Sequence, residues 1–238
     1  RTSFASRMSS LLRTIRIGMR NVRLMAAYLS SKRYRWNEDR ATGIKKKLYN
    51  TYSEYLEHQK SKLKRIQDWL QEYDVKYQTA LRERLEEQDI VQPGMSVLCL
   101  AARIGTEVRS FLDIGCFAVG LDLNPGKENK YVLHGDFHDV QFPPQTVDVV
   151  FCNSLDHVFD LEKVIREIRR VLKRDGLLIL EIERGEQEGG SPGYYEAVFW
   201  KRIDDVLDMF LKLGFRVLMR TDFDYPWNGQ HISLTLNK

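Results

Sequence analysis

Two acids and a histidine in this sequence have the type and position for chemistry. Asp122 directly follows the apolar run Phe117 to Leu121, where a buried strand would end. In open α/β sheets a carboxylate at that point can chelate the two hydroxyls of a ribose. The bland reading of Asp122 is an N-cap for the NPG turn that follows. Asp156 and His157 stand in NSLDH, just past a second apolar run, Val147 to Cys152. An imidazole with an unperturbed pKa of about 6.5 suits general-base work near neutrality, and Asp156 is the alternative base. Equally, His157 caps the next helix or packs beneath a ligand. No metal site is expected, because His134 and His138 lack partners at ligand spacing and the three cysteines are scattered.

Regular elements must hold these groups in place. Val97 to Leu100 is a short apolar run fit for a strand buried on both faces. Gly105 opens a helix whose free N–H groups face any bound ligand, and Phe111, Leu112 and Ile114 form its core side up to Gly115. Leu161, Val164, Ile165, Ile168, Val171 and Leu172 share one face of a helix. LKRDG then predicts a basic helix end with a glycine stop before a strand over Leu177 to Ile182. Val206 to Leu213 reads as helix, and Phe215 to Met219 and His231 to Leu236 as the last two strands.

From about residue 92 to residue 238 the chain resembles the class I S-adenosylmethionine-dependent methyltransferases, particularly the small type 11 domain. The matching marks are LCLAARIGTE, GLDLNP, HGDFHDVQFPPQTVDVVFCNSLDHV and EIRRVLKRDGLLILEI. The resemblance implies a Rossmann-like, mostly parallel seven-stranded sheet with a final antiparallel hairpin. It implies S-adenosyl-L-methionine as cofactor, with Leu100, Ala101, Ala102, Arg103 and Gly105 forming the methionine loop. Asp122 then takes the ribose and Leu123 packs on the adenine. Asp136 accepts from the adenine amino group, and the Phe137 N–H serves a ring nitrogen. Asn153, Ser154 and Leu155 face the methyl group, with His157 or Asp156 as catalytic base. The loop departs from the family's acid-x-Gly-x-Gly-x-Gly, which here reads Cys99, Ala101, Arg103 and Gly105. Ala101 fits if its φ is negative. Arg103 can pair with the cofactor's carboxylate or with Glu107.

The remaining chain divides into a tail over residues 1–43 and a helical cap or lid over residues 44–91, ahead of the domain at 92–238. Net charge is +4, but residues 1–37 hold nine Lys or Arg and no acid, so the remaining 28 bases face 33 acids. An acidic catalytic half argues against a nucleic-acid surface. Apolar residues between Met8 and Leu29 recur at helical spacing, flanked by arginines. Three readings of that helix compete: an anionic membrane surface, an organellar transit peptide, or packing against a partner. Three thiols placed on core strands suggest a reducing, cytoplasmic compartment, with an organelle as the alternative. Tyr52 and His58 from the lid, with Tyr194 and Tyr195 from the glycine-rich loop GEQEGGSPGYYEAVFW, are the candidate acceptor-binding residues. Trp200 is expected in the core. The acceptor is expected to be a small molecule, a glycan or a lipid-linked compound. A non-catalytic scaffold, a nucleic-acid methyltransferase and a nicotinamide-dependent oxidoreductase are the rival readings.

Overall fold

The computed structural model describes residues 35–237. A seven-stranded sheet of order β5-β4-β3-β6-β7-β10-β9 forms the centre. Its strands are β3 (Ser96–Leu100), β4 (Phe117–Asp122), β5 (Val132–His134), β6 (Val147–Cys152), β7 (Leu172–Glu183), β9 (Phe215–Phe223) and β10 (Gly229–Leu236). The first five run parallel, and β10 pairs antiparallel with both β7 and β9. This is the sheet the resemblance implies.

Alternation along the central strands assigns the two helical layers. Leu98, Leu100, Val150, Cys152, Leu178 and Leu180 point to one face, into a core shared with α4 (Leu161–Val171) and α5 (Ile203–Lys212). Val97, Cys99, Val149, Phe151 and Ile179 point to the other, where α2 (Lys62–Gln88) and α3 (Thr106–Asp113) cover them. Because β3 and β6 are apolar at consecutive positions, they tolerate only a place between two layers. In α4 Leu161, Val164, Ile165, Ile168 and Val171 are all fully buried, and Asp160 caps the helix by accepting from the Lys163 N–H at 3.1 Å.

Three expectations need correction. The predicted helix end LKRDG is extended: α4 stops at Val171 and β7 begins at Leu172, with a register shift between Val147 and Val149. Here Gly176 allows a close backbone approach, since a Cβ would lie 2.9 Å from the Lys173 carbonyl oxygen. Residues near 36–47, placed in a tail and a helical lid, instead form a hairpin of β1 (Trp36–Asp39) and β2 (Ile44–Lys47). β8 (Val198–Trp200) adds to it as a third strand, Ile44 opposite Trp200. Trp200 is buried as expected, its Nε1–H donating to the Glu183 carbonyl at 2.9 Å. The helical segment is also two helices, α1 (Tyr52–Lys60) and α2, broken at Ser61. The amphipathic helix expected between Met8 and Leu29 lies outside the described residues. Among the described residues no helix is long and apolar enough to cross a membrane.

Gly120 in β4 fixes how closely the β3–α3 loop packs, for a Cβ there would meet the Ala102 Cβ at 2.7 Å and a Val132 methyl at 2.9 Å. Gly120→Ala should therefore lower stability by about 1–3 kcal/mol through overpacking. Urea denaturation checks this; an unchanged midpoint would show that the loop can retreat freely.

Candidate active site

The carboxyl ends of β3, β4 and β6 open into a cleft. Ala101 and Arg103 line it from the β3–α3 loop, Leu121 to Asn124 from β4, Gly135 and Phe137 from beyond β5, and Ser154 and His157 from beyond β6. Tyr55, Gln59, Lys62 and Leu63 close it from above.

Asp122 is oriented by its own backbone surroundings. The Arg103 N–H donates to Oδ2 at 2.9 Å and the Asn124 N–H to Oδ1 at 2.7 Å. Each oxygen keeps a second acceptor position, so the carboxylate is aimed yet still able to take two hydroxyls. Ala101 and Arg103 both adopt left-handed backbone, at φ +55° and +44°. The negative φ on which an easy fit of Ala101 depended is not met: the loop keeps the conformation that glycine ordinarily supplies, at a cost of roughly 1–2 kcal/mol per residue. Gly105, at φ +85°, retains the usual residue type. The Arg103 guanidinium lies across the Tyr73 ring, 5.9 Å from its centroid.

Several expected site residues face elsewhere. Leu100, Ala102 and Leu155 are core side chains. Asn153 is buried, its Nδ2 donating at 2.9 Å to both the Tyr77 hydroxyl and Glu107 Oε1. Asp136 does not line the cleft. Its Oδ2 accepts from the Tyr52 hydroxyl, and its Oδ1 accepts from the His138 backbone N–H at 2.8 Å, with His138 Nδ1 also at 2.8 Å. His138 Nε2 in turn accepts two backbone N–H groups, from Phe159 and Asp160, so its proton sits on Nδ1. Tyr52 thus latches α1 onto the loop beyond β5. His58 is buried in the roof, bonded to the Tyr49 hydroxyl at 2.8 Å and packed on the rings of Tyr194 and Tyr195.

The structure adds residues that local patterns did not assign to the cofactor side. Tyr55, Gln59 and Lys62 fall in the segment read as a helical lid, whose register against the sheet the sequence did not give. Tyr55 donates to the His157 carbonyl at 3.0 Å, and Gln59 Nε2 to the Tyr195 carbonyl at 2.7 Å. His157 is tied at both nitrogens, Nε2 to Lys62 Nζ and Nδ1 to the Tyr195 carbonyl at 3.0 Å. Burial, reinforced by the Lys62 charge, pushes its pKa well below the ordinary histidine value. Asp156 sits 3.3 Å from His157 Nε2, and burial followed by Glu196 pushes its carboxyl up. Donor atoms of Asp156, His157 and Glu196 converge within 4.8 Å. Lys62 and the Tyr195 carbonyl engage the two ring nitrogens of His157.

Comparison with known proteins bears on the fold that carries this cleft. Residues 98–180 match the family described as "Methyltransferase domain". The sterol 24-C-methyltransferase ERG6B of Gibberella zeae is 31% identical over 103 residues, 37% of this chain and 27% of that protein. The chain thus matches only about a quarter of that relative's length. A Burkholderia thailandensis 1,6-didemethyltoxoflavin-N1-methyltransferase, solved with its substrate and S-adenosylhomocysteine, superimposes with a TM-score of 0.63 at 12% identity. That likeness covers 86% of this chain and 99% of the other. The PH0226 protein of Pyrococcus horikoshii gives 0.56 at 20% identity, over 68% and 91%. At these identities the structures establish a shared fold.

Two outcomes follow from the loop and its surroundings. Ala101→Gly should raise stability by about 0.5–1 kcal/mol, because relief of the positive φ exceeds the added unfolded-chain entropy; a lower thermal midpoint would contradict the left-handed assignment. Glu183, at the end of β7, has its pKa pushed up from 4.5 to about 7, first by burial and then by Glu196. Between those values the folded chain holds a proton that the unfolded chain has lost, so stability falls as pH rises through that window. Thermal melts across it should fall less steeply for Glu183→Gln, and identical slopes would refute the shift.

Proposed function

We propose, since residues 98–180 are a methyltransferase domain of the class I S-adenosylmethionine-dependent family, that this chain methylates a small-molecule acceptor held under the α1 roof. The observation that carries the reading is Asp122, a strand-tip carboxylate oriented by two backbone N–H groups at the mouth of a roofed cleft. Asp122 fits a ribose diol, Leu123 and Phe137 fit the faces of a purine, and Ala101 to Gly105 fit the amino-acid end. Ser154 and His157 stand on the methyl side. S-adenosylmethionine supplies an electrophilic methyl group when bound, so the chain's own task is to hold, align and shield. Alignment alone is worth roughly 7–11 kcal/mol in well-oriented reactions.

Tyr55 lines the cleft, while His58, Tyr194 and Tyr195 pack on one another in the roof outside its lining; on this reading the aromatic roof favours a planar or amphipathic acceptor. The name of the Gibberella zeae relative supports a lipid-like acceptor, and that of the Burkholderia protein a heteroaromatic one. A glycan or lipid-linked acceptor at an anionic membrane surface belongs to the same proposal, resting on the basic residues between Met8 and Leu29. A non-catalytic scaffold draws its support from Ala101 and Arg103 in place of glycines. Their left-handed backbone, which preserves the loop's shape, favours the enzyme.

Calorimetry with S-adenosylhomocysteine tests the reading. The full chain should bind it, and Asp122→Ala should lose about 1.5–3 kcal/mol, or about tenfold to 150-fold in Kd. Equal affinity in the variant would remove Asp122 from the ribose site, and no heat with the parent chain would favour the scaffold.

A further inference from the structure

His157 is poorly placed to accept a proton. Its neutral ring has one lone pair, at Nε2, and Lys62 Nζ occupies it, while its Nδ1 proton is committed to the Tyr195 carbonyl. The lysine, by contrast, lines the cleft itself. We propose that Lys62 Nζ is the group that takes the acceptor's proton, and that the acceptor is a molecule that sheds one on methylation, a hydroxyl or ammonium compound. This inference rests on the methyltransferase reading above.

Position favours a neutral amine there. Lys62 is the first residue of a 27-residue helix whose first turn contains no acid. The positive end of the helix dipole therefore acts on the amine with no acid in the same turn to offset it. Arg103 from the β3–α3 loop adds a second positive charge, and burial disfavours the ammonium further. Against these stand Asp122 at the tip of β4, Asp156 beside His157, and Glu196 in the loop before β8. Glu183 at the end of β7 also faces Lys62, and Lys47 faces His157 from β2. Desolvation dominates, and the Lys62 pKa falls from 10.5 to about 8. The neutral amine is then a minority species near physiological pH but far more populated than at an ordinary lysine, as a general base requires.

The balance is simple. The acceptor's proton passes to Nζ, leaving its bonding pair on oxygen or nitrogen; that lone pair bonds the methyl carbon, and the carbon–sulfur pair stays on sulfur. One positive charge disappears from sulfur and one appears on Lys62, among the carboxylates of Asp122, Asp156 and Glu196. His157 acts as a positioning residue, holding Nζ in the cleft through Nε2.

The test is acylation of the full chain with trace acetic anhydride across a pH series, each lysine followed by peptide mass spectrometry. A parallel series contains S-adenosylhomocysteine. Lys62 should react with a midpoint near 8 rather than the ordinary 10.5, and S-adenosylhomocysteine should shield it. His157→Phe should leave the chain folded but weaken the shielding and move the midpoint. A Lys62 midpoint among those of the surface lysines, with calorimetric binding of S-adenosylhomocysteine intact, overturns the proton-acceptor role alone. Loss of shielding despite such binding also overturns it. Absence of calorimetric binding in the parent chain overturns the methyltransferase reading and this inference with it.

Discussion

One buried carboxylate governs how the upper half of the molecule sits on the lower. Glu181, near the carboxyl end of β7, is almost wholly buried, yet it accepts from the Tyr77 hydroxyl and from Arg84 Nε at 2.8 Å, and it lies 3.1 Å from His231 Nδ1. Burial alone would raise its pKa. The His231 hydrogen bond and charge, with Arg84 and Tyr77, more than offset that, and the net shift is downward. A buried charge without such partners costs several kcal/mol. Tyr77 and Arg84 both lie on α2, so that penalty fixes the helix in one register against the sheet.

The register of α2 then determines what closes the cleft. Its first residue is Lys62, and the break at Ser61 turns the chain back into α1, which carries Tyr52, Tyr55 and Gln59. Each makes a bond to a different loop at the carboxyl edge of the sheet, respectively to Asp136, to the His157 carbonyl and to the Tyr195 carbonyl. Tyr77 also accepts from Asn153, next to Ser154, so the same helix braces the wall on which the methyl group would be presented. Roof and floor are therefore one polar framework.

Electrostatics at the acceptor side follow from that enclosure. Asp156, Glu183, Lys47 and Lys62 all have pKa values moved toward the neutral form, in each case with burial as the first cause. In a low-dielectric cleft, opposite charges at short range matter more than in water, and a proton can be redistributed among them at little cost. That is the setting in which a substrate proton can be received without solvent.

Much of this was legible from the chain itself. Consecutive apolar residues at Val97 to Leu100 and Val147 to Cys152 forced two covered faces, and Asp122 at a strand tip marked the edge where the cleft opens, because burial and alternation are local properties. The left-handed Ala101 was not legible, since a residue's φ depends on what the loop must reach. Nor was the hairpin of residues 36–47, whose partner strand lies some 150 positions away at Val198–Trp200. The Lys62–His157 contact, the engagement of Asp136 by Tyr52, and the burial of Asn153 belong to the same class. The chain's own pattern gave the period of the central helices and strands; only the packed fold decided which side chains met, because pairing between distant segments is set by summed burial and satisfied hydrogen bonds.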